Sequence, residues 1–322
     1  MGWRCDGGFT DFLMKRLTFI ALVFWSATGA FSATPANVKT VRVLSVGNSF
    51  SANATKYLEP LAKAAGHVLV HKPIVVGGAS LQLHWNRAVA HERNPSDPEG
   101  WYLGRRGLRE ELSSKEWDVV TLQQSSTKSH DPKTYQPFAR QLFDYIKQHA
   151  PKAEVMVHQT WAYREDDPRF APGVPRKGEP RSRDEMHQML TAAYKGVCGE
   201  LGVKRIPVGD AFDLVETDSV WGFRADPAFD PKAEGATVPV QKNSLHVGWH
   251  MVSGESGGQV MELDAHHANS AGQYLAACVW FEVLFREPVI GNEFLGQDLA
   301  PDYAKFLQQA AHRAVEAMGK GQ

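Results

Sequence analysis

Ser49, Asp264 and His267 are of the three types that cooperate in nucleophilic attack on an acyl carbon. A serine hydroxyl is a weak nucleophile until a base removes its proton, the base needs an acid to hold its tautomer, and the resulting oxyanion needs hydrogen-bond donors. Ser49 follows the β-branched run 41–46 and Gly47, so it stands where a strand ends and a helix begins, among backbone N–H groups that favour developing negative charge. Asp264-Ala265-His266-His267 places a carboxylate and an imidazole three residues apart just ahead of an apolar helix, so that one loop can bring them together. His267 would take the Ser49 proton on one ring nitrogen while Asp264 accepts a hydrogen bond from the other; an ordinary histidine pKa of about 6.5 suits that work at neutral pH. Singly, each residue has a plainer reading: a serine in a turn, a helix-capping acid, a surface histidine.

The elements that must position them follow from hydrophobic periodicity. Strands are expected over 41–46, 67–76, 117–122, 153–158 and 204–208, each a short run rich in Val, Ile and Leu. Between them lie helical patterns. Tyr57, Leu58, Leu61, Ala62 and Ala65 define the first, with Ser51 or Asn53 as cap and Gly66 at its end. Others are expected near 108–112, 135–149 and 184–201, and a polar stretch with Pro95, Pro98 and Gly100 reads as irregular. Residues 245–249 and 260–263 alternate across the turn-forming 254–258 and suggest a hairpin. A strongly apolar helix over 270–285 and an amphipathic tail over 301–318 complete the chain. Alternating strands and helices predict an α/β fold, a three-layer α/β/α sandwich around a five-stranded parallel sheet, with its ligand site beyond the strands' carboxyl ends. That rule gathers Ser49, Gly78, Gln123 and Trp161 on one edge.

Composition narrows the partners. With 322 residues, 43% hydrophobic and 22% charged, the chain is an ordinary globular one, and a net charge of −1 argues against nucleic acid. Met14-Lys15-Arg16, the apolar run 17–25 and small residues to Ala33 form the pattern of a secretory signal peptide, with Ala30-Phe31-Ser32 as cleavage site and Met14 as an alternative start. The expected organisation is a signal over 1–33 and a single domain over 38–318 with insertions at 163–185 and 221–263. The protein is then exported, to the periplasm or beyond, without stable membrane insertion after cleavage. Cys5 precedes the signal; Cys198 and Cys278 could pair or remain separate buried thiols. No cysteine has metal-ligand spacing, and oligomeric state is not readable.

The motifs in order resemble those of the SGNH/GDSL hydrolase superfamily, whose blocks sit on a flavodoxin-like sandwich. Gly47-Asn48-Ser49-Phe50-Ser51 resembles the first block, Gly78 the glycine of the second, and Asp264-Ala265-His266-His267 the closing Asp-x-x-His. The chain is most similar to a branch of exported bacterial proteins with GNSFS, LQ-x-x-S and D-x-x-H-x-N/S-x-x-G-x-Y-L blocks, over about 41–285. Asn48 departs from the aspartate of better-known members. Leu122-Gln123-Gln124-Ser125-Ser126 stands where the family supplies an asparagine. The resemblance therefore implies a triad of Ser49, His267 and Asp264, and an oxyanion hole from the Ser49 and Gly78 N–H groups with the Gln123 side chain, Gln124 being the alternate. Asn48, Trp161, His246 and His250 are candidates for lining the pocket, although packing alone would also account for Trp161 and the two histidines. The implied activity is hydrolysis of acetyl or other short acyl esters, on a small molecule or a carbohydrate, with no metal and no cofactor. Two other readings are a catalytically idle glycan-binding protein, and a metal-dependent phosphoesterase built from Asp264, His266, His267 and others of the 13 histidines.

Overall fold

The run Val43, Leu44, Val46 carries β-branched and aliphatic side chains on both faces of a strand, which is stable only where both faces are covered. A computed structural model of the chain describes residues 38–254 and 257–320, and there this run is the centre of the sheet. The expected signal peptide, its cleavage site, Met14 and Cys5 lie outside the described residues. Strand β1 (Thr40–Gly47) pairs in parallel with β2 (Val68–Val75) on one side and β3 (Val119–Leu122) on the other. Beyond β3 come β4 (Glu154–His158) and β5 (Lys204–Ile206), giving the order β2-β1-β3-β4-β5. This is the expected five-stranded parallel sheet of an α/β/α sandwich.

Helices cover both faces. The first expected helix is two short ones, α1 (Ser49–Thr55) and α2 (Leu58–Ala64). Its cap is neither Ser51 nor Asn53 but Asn48, whose Oδ1 accepts the Phe50 N–H at 3.0 Å, so the helix starts at Ser49 itself. Helix α3 (Leu81–Arg93) occupies part of the stretch read as irregular. Its inward residues are Leu81, His84, Ala88 and His91, and two buried histidines in a polar sequence hide an apolar stripe. After α4 (Leu108–Leu112), α5 (Phe138–His149) and α6 (Arg183–Leu201) comes α7 (Val208–Glu216), also not expected. Val208, Ala211, Phe212 and Val215 give it a helical stripe that the preceding Pro207 obscures. Helix α8 (Ser270–Phe285) is buried from Ala271 onward on every side, which explains its uniformly apolar sequence, and it packs against α1, α2, α7 and α9 (Pro301–Gly319).

The expected hairpin exists as a separate two-stranded antiparallel sheet of β6 (His246–Ser253) and β7 (Gln259–Ala268). Strand β7 runs through Asp264 to Ala268, so the carboxylate and imidazole expected on a loop stand at the end of a strand. Cys198 and Cys278 are separate buried thiols; burial pushes the Cys198 thiol up to about 12, leaving it protonated and inert. Among the described residues no helix is long and apolar enough to cross a membrane.

Candidate active site

The turn after β1 tolerates no side chain at its first position. A Cβ on Gly47 would lie 2.2 Å from Ser51 Oγ and 2.7 Å from Gln123 Oε1, because the chain leaves the sheet directly beneath both groups. The Gly47 carbonyl accepts a hydrogen bond from His84 Nε2 at 3.1 Å, and the Tyr102 hydroxyl donates to His84 Nδ1 at 2.9 Å. Burial lowers the His84 pKa to about 4, so the ring is neutral and one nitrogen donates while the other accepts. Asn48 fastens the turn on a second side, donating to the Ala79 carbonyl at 2.9 Å.

Ser49 thus emerges as the first residue of α1, with its Oγ 2.8 Å from His267 Nε2. His267 Nδ1 lies 2.8 Å from Asp264 Oδ2. The other carboxylate oxygen of Asp264 accepts two backbone N–H bonds, from His266 at 3.0 Å and His267 at 2.9 Å. Burial works against the Asp264 charge, but the His267 ring and these two N–H groups outweigh it and hold the carboxyl well below the usual carboxylate range. The bond to Asp264 raises the His267 pKa above the ordinary histidine value, partial burial opposing. A serine hydroxyl, an imidazole and an ionised carboxylate are therefore joined in sequence, with the proton on the nitrogen that faces the acid.

The hairpin that carries this pair is fastened to the nucleophile's own helix. The Ala268 N–H donates to Asn53 Oδ1 at 3.0 Å. Asn269 caps α8 through bonds from the Ala271 and Gly272 N–H groups, and its amide donates to the Ser244 and His246 carbonyls at 2.6 and 2.9 Å. Phe50 packs against the His267 ring, 5.8 Å between centroids. The sequence reading did not assign His84, Asn53 or Asn269 to the site. Asn269, directly before the apolar helix, carries an N-cap signal; His84 carries none, since its partner is a main-chain carbonyl far away in sequence.

The glutamine expected to donate to an oxyanion does something else. Gln123 is fully buried, its Oε1 accepting from Ser51 Oγ (2.6 Å), Ser51 N–H (3.2 Å) and Asn48 N–H (3.4 Å). Two backbone donors fix which end is oxygen, and Nε2 donates both protons, to Asn48 Oδ1 at 2.9 Å and the Gln124 carbonyl at 2.8 Å. No donor is left over. The alternate, Gln124, is also buried, its Oε1 taking the Leu81 and Ser125 N–H groups and its Nε2 turned to Thr134. Both glutamines are pins between loops, which corrects that expectation. Gly78, the expected backbone donor, has a positive φ of 64° and is exposed, and among the described residues its N–H has no acceptor.

Of the four candidates for the pocket lining, three are interior. Asn48 is the turn's cap. Trp161 is fully buried, sandwiched between Phe50 (4.5 Å) and Phe212 (4.6 Å), with Nε1 donating to the His266 carbonyl at 2.9 Å. His246 is fully buried beside Glu216 and the Ala162 carbonyl. Only His250 is partly exposed, with Nδ1 on the Gly248 carbonyl. These residues are hydrophobic or hydrogen-bonded packing first. His266 turns away from His267 and bonds Asp167 Oδ2 through Nε2 at 2.6 Å. Among the described residues no three His, Cys, Asp or Glu side chains converge to hold a metal ion.

The family profile of a domain of unknown function, DUF4886, matches residues 42–171, and no curated protein matches the chain. The crystal structure of a DUF4886 family protein from Bacteroides uniformis is 25% identical, with a TM-score of 0.65 over 86% of this chain and 95% of that one. A candidate GDSL-like lipase from Parabacteroides merdae is 12% identical, with a TM-score of 0.42 over 78% of this chain and 99% of that one. Phospholipase A1 from Streptomyces albidoflavus is 14% identical, with a TM-score of 0.38 over 76% and 98% respectively. The observed strand order β2-β1-β3-β4-β5 is that of the flavodoxin-like fold that the sequence blocks imply.

Proposed function

We propose that this protein is an exported serine esterase that removes acetyl or other short acyl groups, acting through Ser49, His267 and Asp264. The observation that carries the reading is the continuous chain of two 2.8 Å contacts from Ser49 Oγ through His267 to Asp264. In this reading Ser49 Oγ attacks the ester carbonyl carbon as its proton passes to His267 Nε2. The tetrahedral oxyanion meets the Ser49 and Gly78 N–H groups, each such donor lowering the barrier by about 3 kcal/mol. Collapse expels the alcohol, protonated by His267, and leaves an acyl-enzyme. Water, deprotonated by His267, then releases the acid and restores Ser49. Asp264 stays ionised throughout and stabilises the imidazolium. Every step is a proton or acyl transfer between groups present here, so the scheme needs no metal or cofactor. Export rests on the signal pattern before Ala33, and a carbohydrate alcohol on fold-level analogy.

The test is hydrolysis of p-nitrophenyl acetate by the mature protein beside Ser49→Ala and His267→Ala, with and without EDTA. Each substitution is expected to lower kcat by about 10⁴-fold or more, with EDTA having no effect. Undiminished turnover in Ser49→Ala would overturn the mechanism. Glycan binding without turnover in any form would favour the idle binding protein, and loss of turnover in EDTA the phosphoesterase.

A further inference from the structure

Beyond the carboxyl ends of β3 and β4 lies a cavity of about 450 Å³ that the proposed chemistry does not use. Neither Ser49 nor His267 lines it, but Ser126, Thr127 and Tyr163 of its lining follow the carboxyl ends of β3 and β4, on the sheet edge that also carries Ser49. Its floor is Tyr163, whose ring lies 4.1 Å from that of His266, the neighbour of His267. The Tyr163 hydroxyl donates to Ser126 Oγ at 2.9 Å, just past the end of β3 and so on the edge of the sheet that carries Ser49. The far wall is the loop 163–185. That loop is anchored to β7 at two points, by the Asp167–His266 bond and by the Arg164 N–H on the Ala265 carbonyl at 2.9 Å. The loop and the proposed base therefore share one support.

The lining has a definite chemistry. Arg169 lies over the Tyr163 ring at 4.7 Å, and among the described residues neither Arg169 nor Arg176 makes an ion pair. Glu179 is engaged with His130 at 3.2 Å. With Glu179 turned to His130 and the buried Asp167 turned to His266, the two guanidinium groups are the cations left to meet an anion, and a planar carboxylate fits their paired N–H groups. The exposed Thr127 hydroxyl and the partly exposed ring of Phe170 offer what a pyranose ring uses, a polar group beside an apolar face. The volume falls within the range of about 300–1,000 Å³ typical of small-ligand sites.

We infer that this cavity seats the alcohol portion of the ester, and that this portion is a sugar bearing a carboxylate, read by Arg169 and Arg176. The inference rests on the esterase reading for its role and on the cavity alone for its binding. An arginine fork can take a carboxylate through two parallel N–H bonds while stacked on an aromatic ring, which a lysine cannot reproduce.

Calorimetric titration with trigalacturonate, N-acetylneuraminate and neutral xylotriose tests the binding, using wild type, Ser49→Ala and the Arg169→Ala/Arg176→Ala double variant. Wild type and Ser49→Ala are expected to bind an acidic sugar but not xylotriose. The double variant should bind it at least tenfold more weakly, about the worth of one charge-assisted hydrogen bond. Which acidic sugar binds distinguishes a uronate from a nonulosonate source. Arg169→Lys should recover only part of the affinity, and added salt should weaken binding in wild type more than in the double variant. On acetylated substrates, the kcat/KM ratio of acidic to neutral ester should fall about tenfold in the double variant. Equal binding of xylotriose, no binding of either acidic sugar, or unchanged affinity in the double variant would overturn the inference. If the acidic sugar binds as expected but no ester is cleaved, the cavity stands and the esterase reading fails.

Discussion

The two halves of the candidate triad are built in opposite ways. Ser49 leaves the central parallel strand, and the turn beneath it is gripped from three directions. His84 holds the Gly47 carbonyl, Gln123 holds the Asn48 and Ser51 N–H groups, and Asn48 holds Ala79. All three gripping side chains are buried. Asp264 and His267 belong to a two-stranded sheet outside the main one, both partly exposed, and they orient each other over three residues through main-chain N–H bonds. The nucleophile is placed by tertiary contacts that also hold the fold together, whereas the acid–base pair is a local unit that needs only to be delivered. Damage to the first should therefore appear in stability and activity together, and damage to the second far more in activity than in stability.

The largest expected effect is on the delivered pair. Asp264→Asn should lower kcat about 10⁴-fold, as loss of the orienting charge does in comparable triads, with only a modest loss of stability, because the amide oxygen can still accept the His266 and His267 N–H bonds. Asp264 raises the His267 pKa, so in wild type kcat/KM should rise with pH along a limb centred above the ordinary histidine value, as the base loses its proton. In the variant the residual limb should move to lower pH. A pH–rate profile with no such displacement would remove Asp264 from its role.

On the gripped side, Gln123→Ala should cost about 3 kcal/mol of stability, since it strands two backbone N–H groups and a hydroxyl in the interior. Urea denaturation measures this, and activity should fall with it. A large loss of kcat at unchanged stability would instead restore Gln123 as an oxyanion donor and erase the contrast.

Protonation should divide the halves as well. Burial lowers the pKa of His71 and His84 to about 4 and that of His158 to about 3. Below the ordinary value of about 6.5 the unfolded chain binds more protons than the folded one at these sites. Stability is therefore full above that pH and drains away as pH falls toward 4, by roughly 1 kcal/mol per pH unit for each histidine. His267, whose pKa is raised, has the opposite sign: its contribution is present below about 6.5 and is lost as pH rises through its folded pKa. Urea midpoints between pH 7 and 5 should fall steeply in wild type and less steeply in His84→Gln. A flat profile in wild type would contradict the buried neutral rings.

The smallest expected effect is at the seam. Asn53→Ala removes the acceptor for the Ala268 N–H and should cost about 1 kcal/mol. If delivery is all the hairpin requires, kcat should drop several-fold while the pH limb keeps its position. A change in that limb would mean that the pair is not self-contained.

The parallel sheet was legible because its evidence is local. Runs such as Val41–Val46 and 117–122, separated by helical patterns, leave little choice of architecture. Helices α3 and α7 were missed because His84 and His91 stand in for apolar residues in one and Pro207 masks the start of the other. The sequence by itself also determined the candidate nucleophile, acid and base, since a strand–turn–helix around Ser49 and a three-residue span from Asp264 to His267 are local patterns. Only the tertiary structure decided what Gln123, Trp161 and His246 do, because a polar or aromatic side chain in sequence has the same chemistry whether it faces substrate or fills the interior. Burial and hydrogen-bond partners distinguish those cases. For Gln123 the partners are 72 and 75 residues away, Ser51 and Asn48, brought beside it by the parallel pairing of β1 with β3.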